Sequence, residues 1–102
     1  MTLPAQVTIC GYPYTVEVVG KESYDEGEMC GDIDYFKQLL RISKDQPVMH
    51  ERAVLLHEII HGIAMHTGQH ELRHNENYID ALAYSLLTLL RGNPDLVKYL
   101  TE

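Results

Sequence analysis

The chain predicts an α+β domain: a short N-terminal antiparallel sheet of about three strands, packed on two main helices and followed by a short C-terminal helix. Three observations lead there. Strand formers crowd the first third of the sequence, an unbroken helical pattern begins after Pro47, and the strands precede the helices instead of alternating with them. With 102 residues the chain has the length of one domain. No linker, repeat or low-complexity tract divides residues 1–102.

Taken in order, "QVTIC" (6–10) and "YTVEVVG" (14–20) read as two strands around a turn at "GYPY". "KESYDEGEMCG" (21–31) is acidic and punctuated by glycines, and reads as a loop. "DIDYFKQLLRISK" (32–44) alternates apolar and polar residues and reads as a third extended segment, with helix as the alternative over 35–41. Pro47 suits a first helical turn, and "PVMHERAVLLHEIIHGIAMHTG" then runs without a breaker to Gly62 and Gly68. At about 100° per residue, Ala53, Leu55, Leu56, Ile59, Ile60 and Ile63 form one broad apolar arc, with His57, Glu58 and His61 on the remaining side. "GQHELRH" (68–74) is polar and loop-like. "NENYIDALAYSLLTLLRG" (75–92) reads as the second helix, with Asn75 as its N-cap and Gly92 just past its end. Pro94 opens a terminal helix, "PDLVKYL".

Composition removes several function classes. The formal charge is −7, with Lys and Arg scattered singly, so no basic stripe is present to bind nucleic acid. The longest apolar run, "ALAYSLLTLL", is far short of a membrane span, and no membrane partner is expected. The start, "MTLPAQVTIC", lacks the basic and apolar regions of a secretory signal, which predicts a cytoplasmic protein. In that setting Cys10 and Cys30 read as buried thiols, not a disulfide, and two cysteines are too few for a Cys-rich zinc site.

The chemistry concentrates in "HEIIH" (57–61). His57 and His61 stand one helical turn apart, so both imidazoles leave one rigid element in the same direction, as two zinc ligands require. Glu58 lies about 100° around from His57. It is near enough to reach a water at the metal and badly placed to be a third ligand, which is the general-base position of an HExxH motif. The competing reading is a structural histidine pair, but two histidines and a glutamate on a long apolar helix are costly to bury without a partner.

The third ligand follows partly by elimination. His66 is nine residues beyond His57, about 180° around the helix, and faces away from the pair. His70 and His74 fall in the loop, where helical geometry does not decide their path. In the second helix Glu76 and Asp80 are one turn apart on one face. One reading takes both as acids that complement a positive helix N-terminus, which accounts for Glu76 better than for Asp80. In the functional reading Glu76 completes a His₂Glu set, and Asp80 accepts the Nδ1–H of a ligand histidine and fixes its tautomer.

"HEIIH" followed by "NENYID" (75–80) resembles the HExxH…NExxxD arrangement of the gluzincin, or thermolysin-like, zinc peptidases. The whole layout is similar to small phage- and prophage-encoded metallopeptidase-like proteins of the ImmA/IrrE group, with a short sheet, the HExxH helix and an acidic helix. The resemblance implies a zincin-like minimal domain that binds Zn2+ through His57, His61 and Glu76, with Asp80 buttressing the first histidine. It also implies hydrolysis of a peptide or protein substrate, with Glu58 as general base and a regulatory protein such as a repressor as target. Two departures are visible: the large additional domains of the thermolysin-like enzymes are absent, and the second helix ends in "LLTLLRGNP" where ImmA-like helices continue into Leu-Leu-Met-Pro. The alternative function is a catalytically silent zinc-binding domain that serves as a protein-interaction or regulatory module; a fourth ligand from His70 or His74 would favour it. His50, Tyr78, His70 and His74 are the candidates for stabilising an oxyanion, and the 31–42 strand offers an edge for an extended peptide.

Overall fold

The computed structural model describes residues 2–20 and 30–102, and the loop expected at 21–31 falls mostly outside them. The element order is β1 (Gln6–Ile9), β2 (Tyr12–Val19), β3 (Gly31–Asp34), β4 (Leu39–Ser43), α1 (Val48–His66), α2 (His70–Arg73), α3 (Glu76–Gly92) and α4 (Pro94–Thr101). The class is α+β, as the order of elements predicts.

The sheet departs from the sequence reading in two ways. It has four strands, not three, and it is mixed, not antiparallel: the order is β1-β2-β4-β3, with β2 parallel to β4 and the other two pairs antiparallel. The single extended segment expected at 32–44 is a hairpin. Its turn is fixed by Asp34, whose Oδ1 accepts the N–H groups of Phe36 and Lys37 at 3.0 Å each, and by Gln38 at φ 51°. The hairpin enters the sheet with β4 inside because "LLRIS" buries Leu40, Ile42 and Ser43, whereas "GDID" carries charges that suit an edge.

The first hairpin turns earlier than "GYPY" implies. Cys10 (φ 51°) and Gly11 (φ 88°) form its two central residues, a pair of left-handed conformations that matches the twist of the flanking strands. Pro13 then lies within β2. Its missing N–H costs no ladder bond, since Thr8 and Pro13 alternate with the bonded Ile9–Tyr12 pair and β4 joins only from Thr15.

Helix α1 is the centre of the molecule and is more enclosed than a single apolar arc would make it. Leu55 and Ile59 pack on Ile9, Tyr14 and Leu40 of the sheet, while Leu56 and Ile60 pack on Ile79 and Ala83 of α3. Ile63, expected on the apolar arc, is 41% exposed and belongs to neither packed cluster. Gly62 allows the close approach of helix and sheet: a Cβ there would meet Ile9 Cδ1 at 2.9 Å and Ile33 Cδ1 at 3.1 Å. The segment 68–74 is not all loop, for α2 supplies one helical turn and sends Leu72 into the α1–α3 core. Asn75 caps α3 as expected, its side chain accepting the Tyr78 N–H at 3.1 Å. Among the described residues no helix is long and apolar enough to cross a membrane. Cys10 and Cys30 are free thiols, but Cys10 is exposed because it sits in the tight turn, and Cys30 is half-buried.

Candidate metal centre

With one side of α1 on the sheet and another on α3, the remaining side forms the floor of a cleft of about 560 Å³. One wall is β3, through Gly31, Asp32 and Ile33; the other is α3, through Glu76, Asp80 and Ala83. His57, Glu58 and His61 lie on the floor between them. Helical spacing explains the division. His57 and His61 project one turn apart, and Glu58, about 100° further round, turns toward the β3 side and is only 8% exposed.

The five residues singled out in the sequence converge here. Nε2 of His57 is 2.8 Å from Glu76 Oε2, Nε2 of His61 is 2.8 Å from Glu76 Oε1, and the two Nε2 atoms are 3.2 Å apart. On its far side the His57 ring donates Nδ1–H to Asp80 Oδ1 at 2.7 Å. The backbone of Arg73, at the end of α2, stands close enough to His61 to oppose the lowering of its pKa. That last neighbour is a main-chain group brought in by an element the sequence did not announce, and no side-chain pattern signals it.

The donor set suits a cation. Donation of Nδ1–H to Asp80 leaves a lone pair on His57 Nε2, yet Nε2 faces a carboxylate oxygen and a second imidazole nitrogen at hydrogen-bond distance. Acceptors so placed need a proton or a metal ion between them. One atom from each of His57, His61 and Glu76 lies within 4.8 Å of the others, a spread compatible with ligands about 2 Å from a common centre. Burial lowers the pKa of His61, with the Glu76 carboxylate opposing, so its neutral, lone-pair form is favoured.

Glu58 has the opposite displacement. Burial pushes its carboxyl from 4.5 up to about 7; Glu76, Asp32 and Asp80 add to the rise while His57 opposes it. A carboxyl titrating near neutrality can both take and return a proton.

The other histidines separate cleanly. His66 stacks on Tyr12 with ring centroids 4.2 Å apart and pairs with the Tyr14 hydroxyl at 2.6 Å, on the sheet side of α1. His70 and His74 pack edge to face at 4.6 Å and line a second hollow with Glu71 and Asn77, which meets the metal cleft at Glu76. Neither belongs to the ligand group found among the described residues. His50 lines the cleft but contacts Cys30 Sγ at 3.4 Å. Tyr78, 56% exposed, does not line the cleft, whereas Tyr35, which the sequence reading passed over, does. No family model, curated protein or solved structure matches this chain.

Proposed function

We propose that the chain is a zincin-like, zinc-dependent peptidase whose metal ligands are His57, His61 and Glu76 and whose general base is Glu58. The observation that carries this reading is the convergence of three ligand atoms at the floor of an open cleft, with a buried carboxyl next to them that belongs to none of the three. Zinc held by two histidines and a carboxylate polarises a carbonyl and lowers the pKa of water to about 7.

The chain's own groups divide the remaining work. Asp80 holds the His57 ring in one tautomer and one orientation. Glu58 accepts a proton from the attacking water and delivers it to the leaving amine. β3 is a sheet edge along the cleft wall, so an extended peptide laid beside it gains main-chain hydrogen bonds while its scissile bond crosses the floor. A peptide or protein in extended form is therefore the substrate class, with a regulatory protein such as a repressor as the target, acting in the cytoplasm. His70 and His74 pack on each other and neither joins the ligand group found among the described residues, which favours three protein ligands over a closed four-ligand structural site.

Glu58→Gln tests the assignment. The variant is expected to keep one zinc per chain by elemental analysis and to lose cleavage of a fluorescence-quenched peptide library by at least about 100-fold. Cleavage at the wild-type rate would remove Glu58 from the chemistry; no cleavage by the zinc-loaded wild type would leave the silent zinc-binding module.

A further inference from the structure

We infer that the Tyr35 hydroxyl donates the hydrogen bond that stabilises the oxyanion formed when a peptide carbonyl is attacked in this cleft. The inference rests on the hydrolytic reading above. Water adds its oxygen to the carbonyl carbon, the carbon–nitrogen bond breaks, and Glu58 carries one proton from the water to the amine. Tyr35 keeps its own proton throughout and supplies a hydrogen bond only.

The placement comes from the β3–β4 turn. Tyr35 follows the last residue of β3, and the turn beyond it is pinned by Asp34 Oδ1 at 3.0 Å from both the Phe36 and Lys37 N–H groups. Adjacent aromatic side chains then diverge: Phe36 is fully exposed, while Tyr35 is half-buried and lines the cleft with His57, Glu58, His61 and Glu76. Among the described residues the Tyr35 hydroxyl has no hydrogen-bond partner. Burial raises its pKa; Glu58 and Glu76 raise it further against the opposing charge of Arg73, so the phenol keeps its proton at neutral pH. The same three charges show that it shares the electrostatic surroundings of the ligand group.

The other donors along the cleft fit the task less well. Cys30 and His50 contact each other. Tyr84 is 54% exposed and stands eight residues along α3 from Glu76, about 12 Å of helix rise. Tyr35 approaches from the β3 wall, the side on which an extended peptide would present its carbonyl groups.

The test compares zinc-loaded wild type and Tyr35→Phe by calorimetric titration with two probes. One is a phosphinic pseudo-dipeptide, whose anionic tetrahedral phosphorus mimics the attacked carbonyl. The other is a mercaptoacyl dipeptide, which reaches a metal through sulfur and has no such oxyanion. Tyr35→Phe is expected to keep the wild-type zinc content and unfolding midpoint, to bind the phosphinate about 10–100-fold more weakly, and to bind the thiol within about twofold of wild type. Unchanged phosphinate affinity, or an equal loss for both probes, overturns the assignment of Tyr35 and leaves the metal centre standing. Failure of the zinc-loaded wild type to bind either probe overturns the hydrolytic reading and this inference with it.

Discussion

Nδ1 of His57 lies 2.7 Å from Oδ1 of Asp80, and that contact decides which nitrogen of the ring is left for a metal. A carboxylate only accepts, so Nδ1 carries a proton, and Nε2 is the nitrogen that would give its lone pair to a metal held between it, Glu76 and His61. Asp80 thus acts through His57 and touches no ligand position itself. Asp80→Ala is expected to retain zinc with about 10–100-fold weaker affinity, measured by chelator competition. Glu76→Ala, which removes a ligand, should lose stoichiometric zinc altogether. Equal affinities for the two variants would contradict the division of roles between them.

Glu58 makes the metal-free protein sensitive to pH. Its folded pKa of about 7 is above the ordinary 4.5, so the folded chain holds this proton more tightly than the unfolded one. The associated stability is fully present below pH 4.5 and is lost as pH rises through 7. The whole displacement corresponds to roughly 3 kcal/mol. His61, whose pKa is lowered, works in the other direction and contributes stability above 6.5 that is lost as pH falls through its folded value. Comparison with Glu58→Gln isolates the glutamate. In a chelator, the variant should gain on wild type by about 1–3 kcal/mol between pH 5 and pH 8 in urea unfolding. A constant difference across that range would show that burial of the carboxyl is not its origin.

His66 is expected to matter for the fold and not for the metal. Its Nε2 is the partner of the Tyr14 hydroxyl, and Tyr14 is fully buried. His66→Ala strands that hydroxyl and removes the stacking on Tyr12, at a cost of about 1–3 kcal/mol. Zinc affinity should stay at the wild-type value. Loss of zinc from the His66 variant in a folded chain would refute the separation of the two histidine environments.

Gly31 sets the spacing between the β3 wall and the cleft floor. A Cβ at this position would stand 2.7 Å from Val54 Cγ1 and 3.0 Å from the Arg41 carbonyl oxygen, and the latter is backbone with little room to yield. Gly31→Ala should destabilise the chain by about 1–3 kcal/mol in denaturant unfolding. A neutral result would mean that β3 approaches α1 less closely than the side-chain contacts indicate.

The sequence by itself determined the α+β class, the start of α1 after Pro47, the Asn75 cap, and the pairing of His57 with His61. These rest on local chemistry: helical spacing, a ring that removes an N–H, and a side chain that bonds the next turn. It also placed Glu76 and Asp80 on one face of α3, and His66 on the far side of α1 from the pair. Only tertiary structure decided which histidine Asp80 holds, that the Arg73 backbone comes up beside His61, and that His70 and His74 turn toward each other. It decided the strand order too. The parallel contact of β2 with β4 follows from competition between β3 and β4 for the buried central place, which no single strand's alternation reveals. Tyr35 escaped for the same reason: beside the fully exposed Phe36 it looks like one of two turn aromatics, and only the packing of β3 against α1 turns it into the cleft.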